Sequence, residues 1–250
     1  GPISQAYAAV AAMQLYEAGK LDLDAPVSQY VENLPPRWKG ITSRQLLRHT
    51  AGLADYRQAE GYDSQREWNF AGLAALVGEK KLSFEPGTGV EQSATNFLLL
   101  TEVVGRVSGM DYESFVKKHQ FERLGLRHTG FTGDLDQYDS EDVSQTGNIH
   151  QLFKMDGRFI DPVEQAASYR QDGSPYSVIP STALRGFGDV WASAQDISFW
   201  DIGLAGGVLI EKAENRAQLY GPWKLPDGNS VPANAGWQFY HHRGLMDIKG

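Results

Sequence analysis

The chain opens on a helical pattern. Ala6, Val10 and Met13 recur at i, i+4 and i+7, and Leu15 extends the same apolar side. Five alanines fall between Ala6 and Ala12, and alanine is the strongest helix former. The pattern predicts a buried helix that Gly19 stops. Residues 20–27 mix polar and apolar positions as a turn into the next segment. A short helix over 41–53 follows, with Thr42 and Gln45 at capping-box spacing and Gly52 at its end. A helix over 68–77 is expected to bury Trp68, Ala71 and Leu76. Two more are predicted over 97–107 and 111–121, the second capped by Asp111 with Tyr112, Phe115 and Val116 inward. Ser193 and Asp196 have capping-box spacing ahead of a helix lined by Ile197, Trp200, Ile202 and Leu204. Residues 236–240 and 245–248 read as strands around 241–244. The stretch 132–182 has little periodicity and is either an insertion or a set of short elements.

Composition narrows the classes. With 41% apolar and 22% charged residues, the chain has the make-up of a folded protein. Its net charge of −8, with no basic block, argues against nucleic-acid or anionic-membrane partners. No apolar run approaches the ~18 residues of a membrane span. The chain starts directly in its first helix, so no signal peptide is expected. Without cysteine, disulfides and thiolate metal sites are excluded.

The opening run, Ile3-Ser4-Gln5 through Gly19-Lys20-Leu21-Asp22, resembles the nucleophile helix of the penicillin-recognising serine hydrolases. The likeness is nearest to class C β-lactamases with their esterase and peptidase relatives. Four further blocks occur in the family's order. Residues 41–53 resemble ITxRxLLxHTSGL, and Phe84-Glu85-Pro86-Gly87 the F-x-P-G turn. Residues 124–131 resemble PLGMxxTxF, a structural turn. Residues 186–196 resemble G-x-G-G-x-x-S-T-x-x-D. The resemblance implies an α+β, β-lactamase/transpeptidase-like fold, mostly the helical region with a reduced or truncated antiparallel sheet. It implies one domain over 1–250 without the family's N-terminal and C-terminal sheet strands. It also implies a periplasmic or secreted setting.

The family's chemistry needs an activated serine, a proton-moving lysine or tyrosine, and an oxyanion hole. Its helix opens Ser-x-x-Lys, and its second motif reads Tyr-Ser-Asn. Laid on those motifs, this chain has Pro2 for the serine, Gln5 for the lysine, Gln92 for the tyrosine and Ala94 for the asparagine. Proline cannot attack a carbonyl and lacks a backbone N–H. Neither glutamine titrates, and Ala94 offers no side-chain hydrogen bond. Gly1-Pro2 is also what removal of a tag leaves behind, but that would explain Pro2 alone. Coordinated loss of hydrolysis is the simplest account.

Other residues offer weaker alternatives. Ser4 as nucleophile would take Tyr7 at the lysine position, with no nearby cation to lower its pKa; its expected part is to cap the helix. Ser93 alone survives of the second motif. Ser114 and Lys117 form a literal Ser-x-x-Lys inside a packing helix, which reads as chance. His49 reads as a packing and capping histidine favoured by the helix dipole rather than as a catalyst. His242-Arg243-Gly244 fits the family's third motif literally but reads as a hairpin turn. His241 and His242 do not suit a metal, since neighbours on a strand face opposite ways. No cofactor or metal is implied. The partners implied are a small molecule or peptide in the remnant cleft, and a second copy or partner chain completing the sheet over the first helix.

Overall fold

The computed structural model describes residues 3–134, 153–155, 158–160, 169–175, 182–231, 233–242 and 245–249. Helix α1, Ile3–Glu17, is buried continuously from Ser4 to Met13. A helix apolar on every side belongs in the middle of a core. Its end is a Schellman turn: Gly19 takes φ +68°, Lys20 N–H reaches Leu15 O, and Gly19 N–H reaches Tyr16 O. Over Ser4–Met13 no side of α1 stands open. Described residues of the core close around it.

Helix α2, Ser43–Leu47, has both halves of the Thr42–Gln45 capping box. It stops well before Gly52, and His49 at φ +55° makes the left-handed turn. Helix α3, Phe70–Val77, is capped by Asn69 and buries Leu73, Ala74 and Val77. Ala71 is exposed and Leu76 half-buried, so the expected face was rotated. Helix α4, Ala94–Ser108, packs on α1 and α2. Helix α5, Tyr112–Val116, is capped by Asp111 and buries Tyr112, Phe115 and Val116. It runs through a π turn, Lys117–Phe121, into α6, Glu122–Leu124.

The sheets are small and antiparallel. Strand β1, Thr129–Phe131, pairs with β4, Val190–Ala192, so the expected turn at 129–131 is a strand. Strands β2, Phe153–Met155, and β3, Arg158–Ile160, pair with each other. Helix α7, Ala194–Ala205, follows β4 and buries Trp200 and Leu204, while Ile202 faces solvent. Ser193 caps it at Asp196 N–H, but the return half of the box is absent. The Asp196 carboxylate instead accepts from His128 N–H and Thr129 Oγ1, tying β1 to α7. Helix α8, Ala213–Ala217, precedes the hairpin of β5, Trp223–Lys224, and β6, Ser230–Val231. Strands β7, Ala233–Asn234, β8, Trp237–His242, and β9, Leu245–Lys249, form a three-stranded sheet. Between β7 and β8, Gly236 at φ +93° lies against the start of α1. A Cβ there would stand 2.9 Å from both Ala6 N and Gln5 Cβ.

Candidate functional site

The N-terminal ends of α1 and α4 meet at His49. Its imidazole is buried, with the Phe97 ring centroid 5.1 Å away. Asn96 Nδ2 lies 2.9 Å from Nδ1, and the Ser93 N–H also points there at 3.5 Å. Two donors on Nδ1 make it the acceptor, so Nε2 carries the hydrogen. Nε2 faces Gln5 Oε1 at a long 3.5 Å. Burial pushes the His49 pKa down to about 4, with only the Asp55 charge opposing. The histidine is thus a neutral core residue, and the helix-dipole reading, which needs a cation, is corrected.

The residues at the family's reactive positions are spread around this point. Gly1 and Pro2 lie outside the described residues. Gln5 is buried on α1, and its carbonyl oxygen serves His49. Gln92 is exposed ahead of α4. Ser93 is the N-cap of α4, its Oγ accepting from Thr95 N–H at 3.2 Å. Ala94 N–H donates to Asp55 Oδ2 at 3.2 Å. Burial works to raise the Asp55 pKa, but the Arg57 guanidinium at 2.6 Å and two backbone donors outweigh it and hold it low. A helix N-terminus favours an anion. Here the protein supplies its own.

The alternative serines are also engaged. Ser4 lies inside α1 rather than at its cap, fully buried, and its Oγ accepts from Val190 N–H at 3.0 Å. Burial first, and then the Asp196 charge, push the Tyr7 pKa far above its usual value, which disqualifies it as a base. Ser114 sits in the first turn of α5, and Lys117 is bound to Asp134 Oδ1 at 2.5 Å. His241 lies on β8 opposite Met246, and His242 opposite Leu245. Arg243 and Gly244 are outside the described residues. Among the described residues no group of His, Asp or Glu is placed to hold a metal.

Two residues of this region escaped the sequence reading. Asn96 stands three positions after Ser93, where a helix start could have suggested an inward amide. Asp189 occupies the third glycine of the G-x-G-G block, and a carboxyl at a glycine position is itself a signal. It is buried, accepts from Gly186 N–H at 2.9 Å, and has the Ser4 hydroxyl alongside. Burial above all pushes its pKa up to about 7. Asp189 lines a cleft of ≈ 260 Å³ with Glu67, Trp68, Glu113, Thr132 and Arg185.

A buried nucleophile-type helix meeting a second helix N-terminus beside small antiparallel sheets is the arrangement of a β-lactamase/transpeptidase-like protein. The Beta-lactamase family model matches residues 3–248, and the chain belongs to that family. It is 29% identical over 213 residues to the penicillin-binding protein PbpX of Bacillus subtilis (strain 168), covering 85% of this chain and 47% of that one. The chain spans about half the length of the curated relatives it matches. Its fold is similar to a D-stereospecific amidohydrolase from Streptomyces sp., with TM-score 0.76, 22% identity, and 100% of this chain and 73% of that chain covered. It is also similar to the octameric penicillin-binding protein homologue from Pyrococcus abyssi, with TM-score 0.67, 21% identity, and 99% and 55% coverage.

Proposed function

We propose that this β-lactamase-family domain has lost acyl-transfer chemistry and serves as a binding or structural module. The observation that carries the proposal is Gln5. At the lysine position of the family helix stands a buried amide, hydrogen-bonded to a histidine that burial keeps neutral. General-base activation of a nucleophile needs a group that can take a proton near operating pH, and neither side chain suits that work. Gln92 and Ala94 at the second motif point the same way. A small molecule or peptide in the remnant cleft is the ligand class this reading implies. The test is intact mass after exposure to a β-lactam and to a fluorophosphonate; a stoichiometric adduct would refute it.

The competing reading is an active serine hydrolase or esterase using Ser4, Ser93 or Ser114. It predicts ester turnover that an alanine at one of those serines abolishes. Their engagement in packing and capping weighs against it. A third reading, assembly with a second copy, draws on the exposed Phe199 and Ile202 of α7 and on the Pyrococcus abyssi homologue described as octameric. Light scattering decides it: a clean monomer removes it.

A further inference from the structure

A second cleft, ≈ 390 Å³ in volume, lies where α2 faces the β5–β6 hairpin. Its charged lining is three cations, Arg44, Arg48 and Lys224, against the single carboxylate of Asp24. That balance is unusual on a chain of net charge −8. Asp24 is already committed: Arg44 holds it with Nε at 2.7 Å and Nη2 at 2.9 Å, and Arg44 Nη1 is spent on Gln218 Oε1 at 2.9 Å. Arg48 sits four residues on, a spacing at which like charges repel along a helix face. It is half-buried over the Trp223 indole, 4.8 Å from the ring centroid, and has no carboxylate partner among the described residues. Trp223 is itself fixed, its Nε1–H donating to Ala233 O at 3.0 Å. Gln45 spends its side-chain oxygen on Thr42 N–H, which leaves its amide hydrogens for the cleft.

We infer that this cleft binds a dianionic oxyanion, a phosphate or phosphate monoester, on the Arg48 guanidinium, with Lys224 and the Gln45 amide as further donors. A guanidinium presents a planar fork of donors that matches a phosphate edge. Three cations against one carboxylate leave the charge a dianion would neutralise. The ring beneath Arg48 holds the fork in place without consuming its edge donors. The site is distinct from the His49 centre and does not depend on whether the family chemistry survives.

The test is calorimetric titration of the full chain with inorganic phosphate at pH 7.5 and low ionic strength. Saturable one-to-one binding is expected, weakened about tenfold by Arg48→Gln and progressively by added salt. Arg106→Gln, on an arginine paired with Glu102 outside the cleft, should leave it unchanged. Acetate, a monoanion, should bind more weakly than phosphate. Non-saturable binding, or equal effects of R48Q and R106Q, would overturn the assignment. If R48Q does not fold, Lys224→Gln on the exposed strand decides: a drop of about threefold upholds the site, and no drop removes it.

Discussion

Asn96 Nδ2 stands 2.9 Å from His49 Nδ1, and this contact fixes the state of the chain's central histidine. With Nδ1 accepting, the imidazole is the Nε2–H tautomer. Burial holds its pKa at about 4. Nitrogen-15 NMR of His49 should show that tautomer unchanged from pH 8 to pH 5. A midpoint near 6.5 would contradict the assignment.

The same burial makes a linkage prediction. An unfolded histidine takes up a proton near 6.5, whereas His49 in the fold does so only at about 4. Stability from this residue is therefore complete above pH 6.5 and is lost as pH falls through 4, on the order of 3 kcal/mol in all. Asp189 works the other way. Its folded pKa of about 7 lies above the ordinary carboxyl value of 3.8. Its contribution is complete below 3.8 and disappears as pH rises through 7. Glu113 strengthens that rise, while Gly186 N–H and the Ser4 hydroxyl oppose it. The two slopes offset each other between pH 4 and 6.5. Urea midpoints of Asp189→Asn should therefore climb across that range more steeply than those of the parent. The variant should exceed the parent at pH 8 by a few kcal/mol, roughly the pKa displacement converted to energy. Identical curves for the two proteins would sink this account.

Much of this arrangement was legible in the sequence, for reasons that differ by residue. The α1 pattern was read correctly because alanine periodicity and a Schellman glycine are local signals. Thr42–Gln45 was likewise visible, since both halves of a capping box lie within one turn. The Ser193–Asp196 box was half right, because Asp196 is claimed by Thr129, a partner 67 residues away that spacing cannot reveal. Ile202 was misplaced for a related reason: α7 buries only a narrow stripe, and hydrophobicity alone does not say which side faces the core. The packing half of the His49 reading holds and the dipole half does not, since nothing local announces a left-handed turn at a histidine. The Arg48–Trp223 pair joins residues 175 positions apart in numbering, beyond any local signal.

Lys117 and Asp134 form a buried pair at 2.5 Å, beneath the strand carrying Phe131. Replacing one partner leaves an uncompensated charge. Lys117→Met should cost roughly 3 kcal/mol in urea denaturation. A change below about 0.5 kcal/mol would mean that the pair contributes no more than a surface bridge.

Gly236 is the point where the three-stranded sheet touches α1. At φ +93° and with Ala6 N 2.9 Å from a notional Cβ, it leaves no room for a side chain. Gly236→Ala should lower stability by about 2 kcal/mol or more, since strain and a backbone clash add. It should also shift the His49 resonances through Gln5. A silent substitution would place the contact wrongly.

The central claim is that neither Gln5 nor His49 can activate a nucleophile. Intact-mass spectrometry tests it most directly, on the full chain incubated with a β-lactam and, separately, with a fluorophosphonate. The account predicts an unchanged mass in both; a stoichiometric covalent adduct on any serine would contradict it.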